Sequence, residues 1–198
     1  MPVGVPKIPF SFPDDEDGSW VELYHVLYRL RVLFLCQAVE TEISNQLCGI
    51  IAYLTIEDST QDIFMFVQCL GGGVLPGLAL FDMMTVSDSA VYTIAMGYSA
   101  SMGAFVLSGG DITKRLAFPH ARVMIHQPAS SFYEGELANY FLDTGEIRRI
   151  RKSVIRAYAR RTGQSYRTIL TGMERDSFMT PEEAQALGII DGIIDLEY

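Results

Sequence analysis

Apolar and polar positions alternate along this chain in two distinct rhythms. Arg31-Val32-Leu33-Phe34-Leu35, Ile63-Phe64-Met65-Phe66-Val67 and Val91-Tyr92-Thr93-Ile94-Ala95-Met96 are short, nearly unbroken apolar runs. Runs of that length, rich in branched and aromatic residues, predict buried strands. Between them the apolar residues recur every three or four places. Val21, Tyr24, Leu27 and Tyr28 predict a helix from Trp20 to Leu30. Ile43, Leu47, Ile50, Ile51 and Leu54 predict another over 41–56. Further helices fit Gly77 to Met84 and Ser101 to Ser108, the second closed by Gly109-Gly110, a favoured C-terminal cap. Arg122-Val123-Met124-Ile125-His126 reads as one more strand, stopped by Pro128. A long helix is expected from about Gly135 to Arg161, with Ile147, Ile150, Val154 and Tyr158 as its apolar stripe. Strands alternating with helices imply an α/β fold around a largely parallel, buried sheet.

The first eighteen residues read differently from the rest. Residues 1–18 hold four prolines and the run Asp14-Asp15-Glu16-Asp17, which predicts a mobile segment, because proline removes donors and like charges repel. Residues 19–198 then form one domain, large enough to bury a core. The opening Met1-Pro2-Val3-Gly4-Val5-Pro6-Lys7 has neither a secretory apolar core nor an Arg/Ser-rich transit segment, so the protein is expected to stay where it is made or to have been processed.

Composition narrows the partners. With 49 % hydrophobic residues and a mean hydropathy of +0.20, the chain has apolar surface to spare for subunit interfaces, yet no run reaches the roughly 18 residues of a membrane span. The long helix carries Arg148, Arg149, Arg151, Lys152, Arg156, Arg160 and Arg161. A net charge of −9 nonetheless argues against nucleic acid and makes this a solvated basic face. Cys36, Cys48 and Cys69 show no metal-ligand spacing, and their odd number suggests a reducing compartment.

The candidate chemistry gathers where a strand turns into a helix. Gly97-Tyr98-Ser99-Ala100-Ser101-Met102-Gly103 places two serines among small residues at such a corner. A serine there can project its hydroxyl into a cleft while the new helix offers free N–H groups beside it. Small residues flank Ser99 and Ser101 alike, so the local pattern does not separate them. A serine nucleophile needs a base, and the chain has three histidines. His25 falls on the first helix and His120 in a turn after Pro119, whereas His126 ends a strand, where parallel-sheet proteins gather their sites. Gly71-Gly72-Gly73 after the preceding strand reads as an oxyanion site rather than a phosphate loop, since no Gly-Lys-Ser/Thr follows. Among 24 acidic residues, Asp176 is one candidate orienting carboxylate.

Met96-Gly97-x-x-Ala100-Ser101-Met102-Gly103, Arg122 to Pro128 and Glu174-Arg175-Asp176-x-Phe178-Met179 resemble, in that order, the blocks of the Clp protease proteolytic-subunit family of serine peptidases. The likeness covers nearly the whole chain from Val21. The opening segment and Ile112 to His120 look most like plastid-encoded members. The resemblance implies Ser101 as nucleophile, His126 as base, Asp176 as orienting carboxylate, and the N–H groups of Gly72 and Met102 as oxyanion donors. Ser99 becomes a packing residue. It also implies that Gly73, Val74 and Leu75, read as a strand, and Pro128, Ala129 and Ser130 hold an extended peptide. The implied fold is the crotonase-like superhelix of β-β-α units with a helical handle at about 127–161. Two stacked heptameric rings, of mixed subunits in plastids, would enclose a chamber fed by an AAA+ unfoldase. ATP would be used by that partner, and this chain would need neither cofactor nor metal. The N-terminal segment would serve as an axial loop, and the location would be the chloroplast stroma or, alternatively, a bacterial cytoplasm.

One departure bears on activity. Family members carry Ser-Pro-Gly-Gly where this chain has Cys69-Leu70-Gly71-Gly72-Gly73. Losing the proline and adding a glycine is expected to loosen the loop. Two rival readings follow: a non-catalytic subunit of a mixed ring, or an acyl-CoA enzyme on the same fold, which would need no Ser–His pair.

Overall fold

The computed structural model describes residues 4–10, 19–128 and 137–195. In chain order these form β1 (Lys7–Phe10), β2 (Ser19–Glu22), α1 (Leu23–Arg29), β3 (Val32–Leu35), α2 (Thr41–Glu57), β4 (Ile63–Cys69), α3 (Val74–Val86), β5 (Val91–Ala100) and α4 (Met102–Ser108). β6 (Arg115–Ala117), β7 (Arg122–Ile125), α5 (Leu137–Thr162), α6 (Tyr166–Gly172), β8 (Ser177–Met179), α7 (Pro181–Leu187) and β9 (Gly192–Ile193) follow. The fold is mixed α/β. Strands β3, β4, β5, β6 and β9 lie side by side in parallel, and β7 joins the far half of β5.

β5 is the organising strand, and it extends beyond the expected Met96 to Ala100. Its first half pairs with β6 from Thr93 to Ala95, its second half with β7 from Tyr98 to Ala100. The change of partner falls at Gly97, whose φ of 59° is open to glycine at little cost. There the register against β4 slips, so that Val67 faces Ala95 but Cys69 already faces Ser99. The resulting bulge bends β5 and carries its end toward the end of β7.

The core lies on one face of the sheet. Ile63, Met65, Val67 and Cys69 point inward from β4, against Leu47, Ile51 and Leu54 of α2 and Leu80, Phe81 and Met84 of α3. The run Ile63–Val67 is thus buried on one side only. Its outward residues form an aromatic ladder with the neighbouring strands, Phe34 on Phe66 at 5.3 Å and Phe64 on Tyr92 at 4.9 Å. Phe105 of α4 stacks on Phe81 and meets Tyr158 of α5 edge-on, tying the long helix to the core. At the C-terminal side Arg115 joins Asp191 and the carbonyls of Arg161 and Gly188. Burial alone would raise the Asp191 carboxyl, but side-chain and backbone hydrogen bonds from Arg115 hold it below its ordinary value.

Several expected elements differ. The helix drawn from Trp20 begins at Leu23, because Ser19-Trp20-Val21-Glu22 is a strand paired antiparallel with Lys7–Phe10. That pairing also corrects the unstructured reading of part of the segment 1–18; residues 1–3 and 11–18 lie outside the described residues. α3 starts at Val74 rather than Gly77. Pro76 sits in its first turn, where no N–H is needed, and Gly73 is the cap. The expected strand Gly73–Leu75 is therefore the entry to a helix. The long helix lies close to its expected bounds, and Val154, Ile155, Ala157 and Tyr158 are its buried residues, while Ile147 is exposed.

Candidate active site

Ser101 occupies the turn between β5 and α4. Its φ of 56° and ψ of −124° lie where residues with a Cβ rarely settle, a strained corner of the kind that holds a nucleophile outward. The corner is held on three sides. The Ser101 N–H donates to the Met124 carbonyl of β7 at 2.9 Å, and the Ser101 carbonyl starts helix α4 by accepting from Phe105. Gly103 lets α4 approach β4, since a Cβ there would stand 2.3 Å from the Cys69 carbonyl oxygen.

The sheet register then brings the other groups in. Because Ala100 pairs with Met124, His126 follows just beyond the end of β7, beside the serine. Because β8 runs antiparallel to β7 with Ile125 opposite Ser177, Asp176 comes opposite His126. His126 Nε2 lies 2.8 Å from Ser101 Oγ, and His126 Nδ1 lies 3.1 Å from Asp176 Oδ1. With the proton on Nδ1, the ring donates to Asp176 and accepts from Ser101, the arrangement a general base requires. His126 is 24 % exposed and Asp176 70 %.

Of the two serines, only Ser101 reaches a histidine. Ser99 is fully buried and donates to the Val67 carbonyl at 2.9 Å, a strand-locking bond. His25 lies on α1, in a hollow of about 780 Å³ shared with α2, and His120 is exposed in the turn before β7. Neither joins the chain of hydrogen bonds.

A cavity of about 210 Å³ opens beside Ser101 and His126, lined further by Gly72, Val74, Met102, Phe105, Pro128, Val154 and Tyr158. Gly72 and Met102, the two expected oxyanion donors, thus border the same space as the hydroxyl. The Val39 backbone pairs with the Gly71 carbonyl and the Gly73 N–H, and the Gly72 N–H has no hydrogen-bond partner among the described residues. Met102 is the first residue of α4, so its N–H has no partner within the helix. Two donors at one edge of such a cavity can receive a developing oxyanion.

Where the loss of proline and the added glycine are expected to loosen this loop, the structure ties it. Besides the Val39 bonds, the Cys69 thiol contacts both the N–H and the carbonyl of Gly71 at 3.3 Å. Gly71 has a φ of 121°, which residues with a Cβ rarely adopt, and a Cβ there would lie 2.9 Å from Ser101 Oγ. Burial pushes the Cys69 thiol up, against hydrogen bonds from Gly71 and Val39, so it stays protonated and acts as a packed hydrogen-bonding group.

Of the residues expected to hold a peptide, Val74 and Pro128 line the cavity. The Gly73 N–H is already bonded to Val39, and Leu75 is exposed in the first turn of α3, so no free strand edge runs from 73 to 75. Ala129 and Ser130 lie outside the described residues. Val39, Cys69, Phe105 and Val154 belong to the site without being expected there. The helical stripe touched Val154, and the departure from the family's loop touched Cys69. Among the described residues no cluster of His, Cys, Asp or Glu is arranged to hold a metal, and no helix is long and apolar enough to cross a membrane.

The Clp protease family profile matches residues 14–197. A Coffea arabica protein named "ATP-dependent Clp protease proteolytic subunit" is 55 % identical over 191 residues, covering 96 % of this chain and 97 % of that protein. Proteins of the same name from Nicotiana tabacum and Spinacia oleracea are each 54 % identical over the same coverage. The chain belongs to the Clp protease family, whose members are serine peptidases.

Proposed function

We propose that this chain is the peptide-cleaving subunit of an ATP-dependent Clp protease, with Ser101, His126 and Asp176 as its catalytic triad. The observation that carries this reading is the unbroken hydrogen-bonded line Ser101–His126–Asp176 beside a cavity that holds two backbone donors.

Ser101 Oγ attacks the carbonyl carbon of the peptide bond as His126 Nε2 takes the hydroxyl proton. Asp176 accepts from Nδ1–H, fixes that tautomer and stabilises the imidazolium. The carbonyl oxygen, now an oxyanion, lies against the N–H groups of Gly72 and Met102. Collapse breaks the C–N bond, and the leaving amine takes the proton back from Nε2. Water, deprotonated by His126, then hydrolyses the acyl-serine and frees the hydroxyl. Val74 and Pro128 line the cavity in which the bond reacts. No step requires a metal or a nucleotide.

The relatives' name, with its "subunit" and "ATP-dependent", supports an assembly of several chains that uses ATP, and in this reading the chain forms two stacked heptameric rings with homologous subunits. A separate AAA+ unfoldase spends the ATP and delivers unfolded polypeptide. Within that assembly α5 belongs to the handle of a crotonase-like superhelix, and the β1–β2 hairpin lies at the base of an axial loop. The plant sources of the relatives support the chloroplast stroma as the location. The triad and the tied glycine loop favour an active subunit over a structural one.

Hydrolysis of a fluorogenic peptide by the assembled complex tests the proposal. Wild-type complex cleaves it, and His126→Ala in this chain removes this subunit's share. Cleavage unchanged by His126→Ala, or retention of the chain on immobilised CoA, would sink the reading.

A further inference from the structure

Three neighbouring strands carry the three reacting groups at their ends. β5 runs into Ser101, β7 stops one residue before His126, and β8 starts just after Asp176. β7 lies in the middle, paired with β5 on one side and β8 on the other. β8 is an edge strand of three residues, and β7 is its partner in the sheet. Backbone pairing that short ties the carboxylate end loosely. A side-chain contact adds to it by reaching over the middle strand. Tyr98 of β5 and Phe178 of β8 meet edge-on, with ring centroids 5.6 Å apart and planes at 72°.

The register shows why these two rings can meet. Tyr98 stands opposite Arg122 and Phe178 opposite Met124, two places further along β7, so both point to the same face of the sheet. β5 and β8 are two strand spacings apart, about 10 Å, a gap that only long side chains bridge. Met124, on the strand between them, is 8 % exposed, on a face where Tyr98 and Phe178 are themselves about half exposed. β5 and β8 are therefore neighbours through their rings without being neighbours through their backbones. Edge-on aromatic contact prefers one geometry, so it fixes a spacing as well as adding attraction. Phe178 is two residues from Asp176, whose Oδ1 must stay 3.1 Å from His126 Nδ1. On the triad reading, on which this inference rests, we propose that Tyr98 is a positioning residue. Through Phe178 it holds β8, and with it Asp176, at the right place relative to the strand that carries Ser101.

Steady-state cleavage of a fluorogenic peptide by the assembled complex tests this. Tyr98→Ala is expected to lower kcat about fivefold, as for one lost aromatic pair, with KM moved less than twofold. Tyr98→Phe keeps the ring and is expected to restore the wild-type kcat. Phe178→Leu removes the other ring and is expected to match Tyr98→Ala, which lets it carry the same comparison should the alanine variant fail to assemble. The decisive comparison is made in an Asp176→Asn background. With the carboxylate gone there is nothing left to position, so either ring variant should change kcat there by less than twofold. A further fivefold fall in that background would overturn the proposal, because the rings would then act through the Ser101 corner. A wild-type kcat in both ring variants, or Tyr98→Phe as slow as Tyr98→Ala, would overturn it too. If wild type cleaves no peptide and Ser101 resists a fluorophosphonate, the peptidase reading itself fails and this inference falls with it. Cleavage without the coupling overturns the inference alone.

Discussion

Ser101 and Asp176 are the two ends of one hydrogen-bonded line, yet they sit in opposite environments. Ser101 is fixed from every side: a strained backbone, a bond to Met124, glycines 71 and 103 pressed against it and against its helix. Asp176 is 70 % exposed and stands just ahead of β8, a strand of three residues. Its place depends on the pairing of Ile125 with Ser177. The nucleophile is thus positioned by packing, which is stiff and unforgiving, while the carboxylate is positioned by a short strand pairing with water at hand. Errors at the serine end should be severe. Errors at the aspartate end should be softened, because solvent can partly replace what the carboxylate supplies.

Gly71→Ala attacks the stiff end and should have the largest effect of three substitutions. A methyl group there reaches 2.7 Å from Ser101 Cβ, on backbone that disfavours any side chain. We expect kcat to fall about 10²- to 10³-fold, as for loss of an oxyanion donor, with KM changed little. Steady-state kinetics on a peptide checks this, and a variant with wild-type kcat would mean that the loop is not held as described. Asp176→Asn attacks the open end. Its cost should be about 10²-fold in kcat, short of the ~10⁴-fold loss seen for a buried triad carboxylate. A loss as large as the buried case would erase the distinction between the two ends. Cys69→Ala, which removes the thiol contacts to Gly71, should lower kcat about fivefold, roughly one hydrogen bond, and Cys69→Ser should recover part of it. If both variants behave as wild type, the Val39 pairing alone holds the loop.

The same contrast explains what could be read in the chain beforehand. The strand–helix alternation, the long helix and the serine corner follow from local pattern, and all stand in the fold. Local pattern could not choose between Ser99 and Ser101, because the choice depends on which hydroxyl faces the core and which faces β7. That is a matter of the bulge at Gly97 and the change of partner along β5. Nor could it bring Asp176 to His126, fifty residues away, since that pairing exists only once β8 lies against β7. The family likeness supplied those two assignments. The Cys69–Gly71 contact escaped both routes: no periodicity marks it, and it occurs where the chain departs from the family's usual loop. The strand reading of Gly73 to Leu75 came with the family likeness, whereas Pro76 suits the first turn of the helix that stands there.

The central claim is that Ser101 is an activated nucleophile, and labelling the assembled complex with a fluorophosphonate probe tests it most directly. Wild-type chain should take up the probe on Ser101, and Ser101→Ala should take up none. Absence of labelling on this wild-type chain, while partner subunits in the same complex label normally, would contradict the account and make the chain a structural member of the ring.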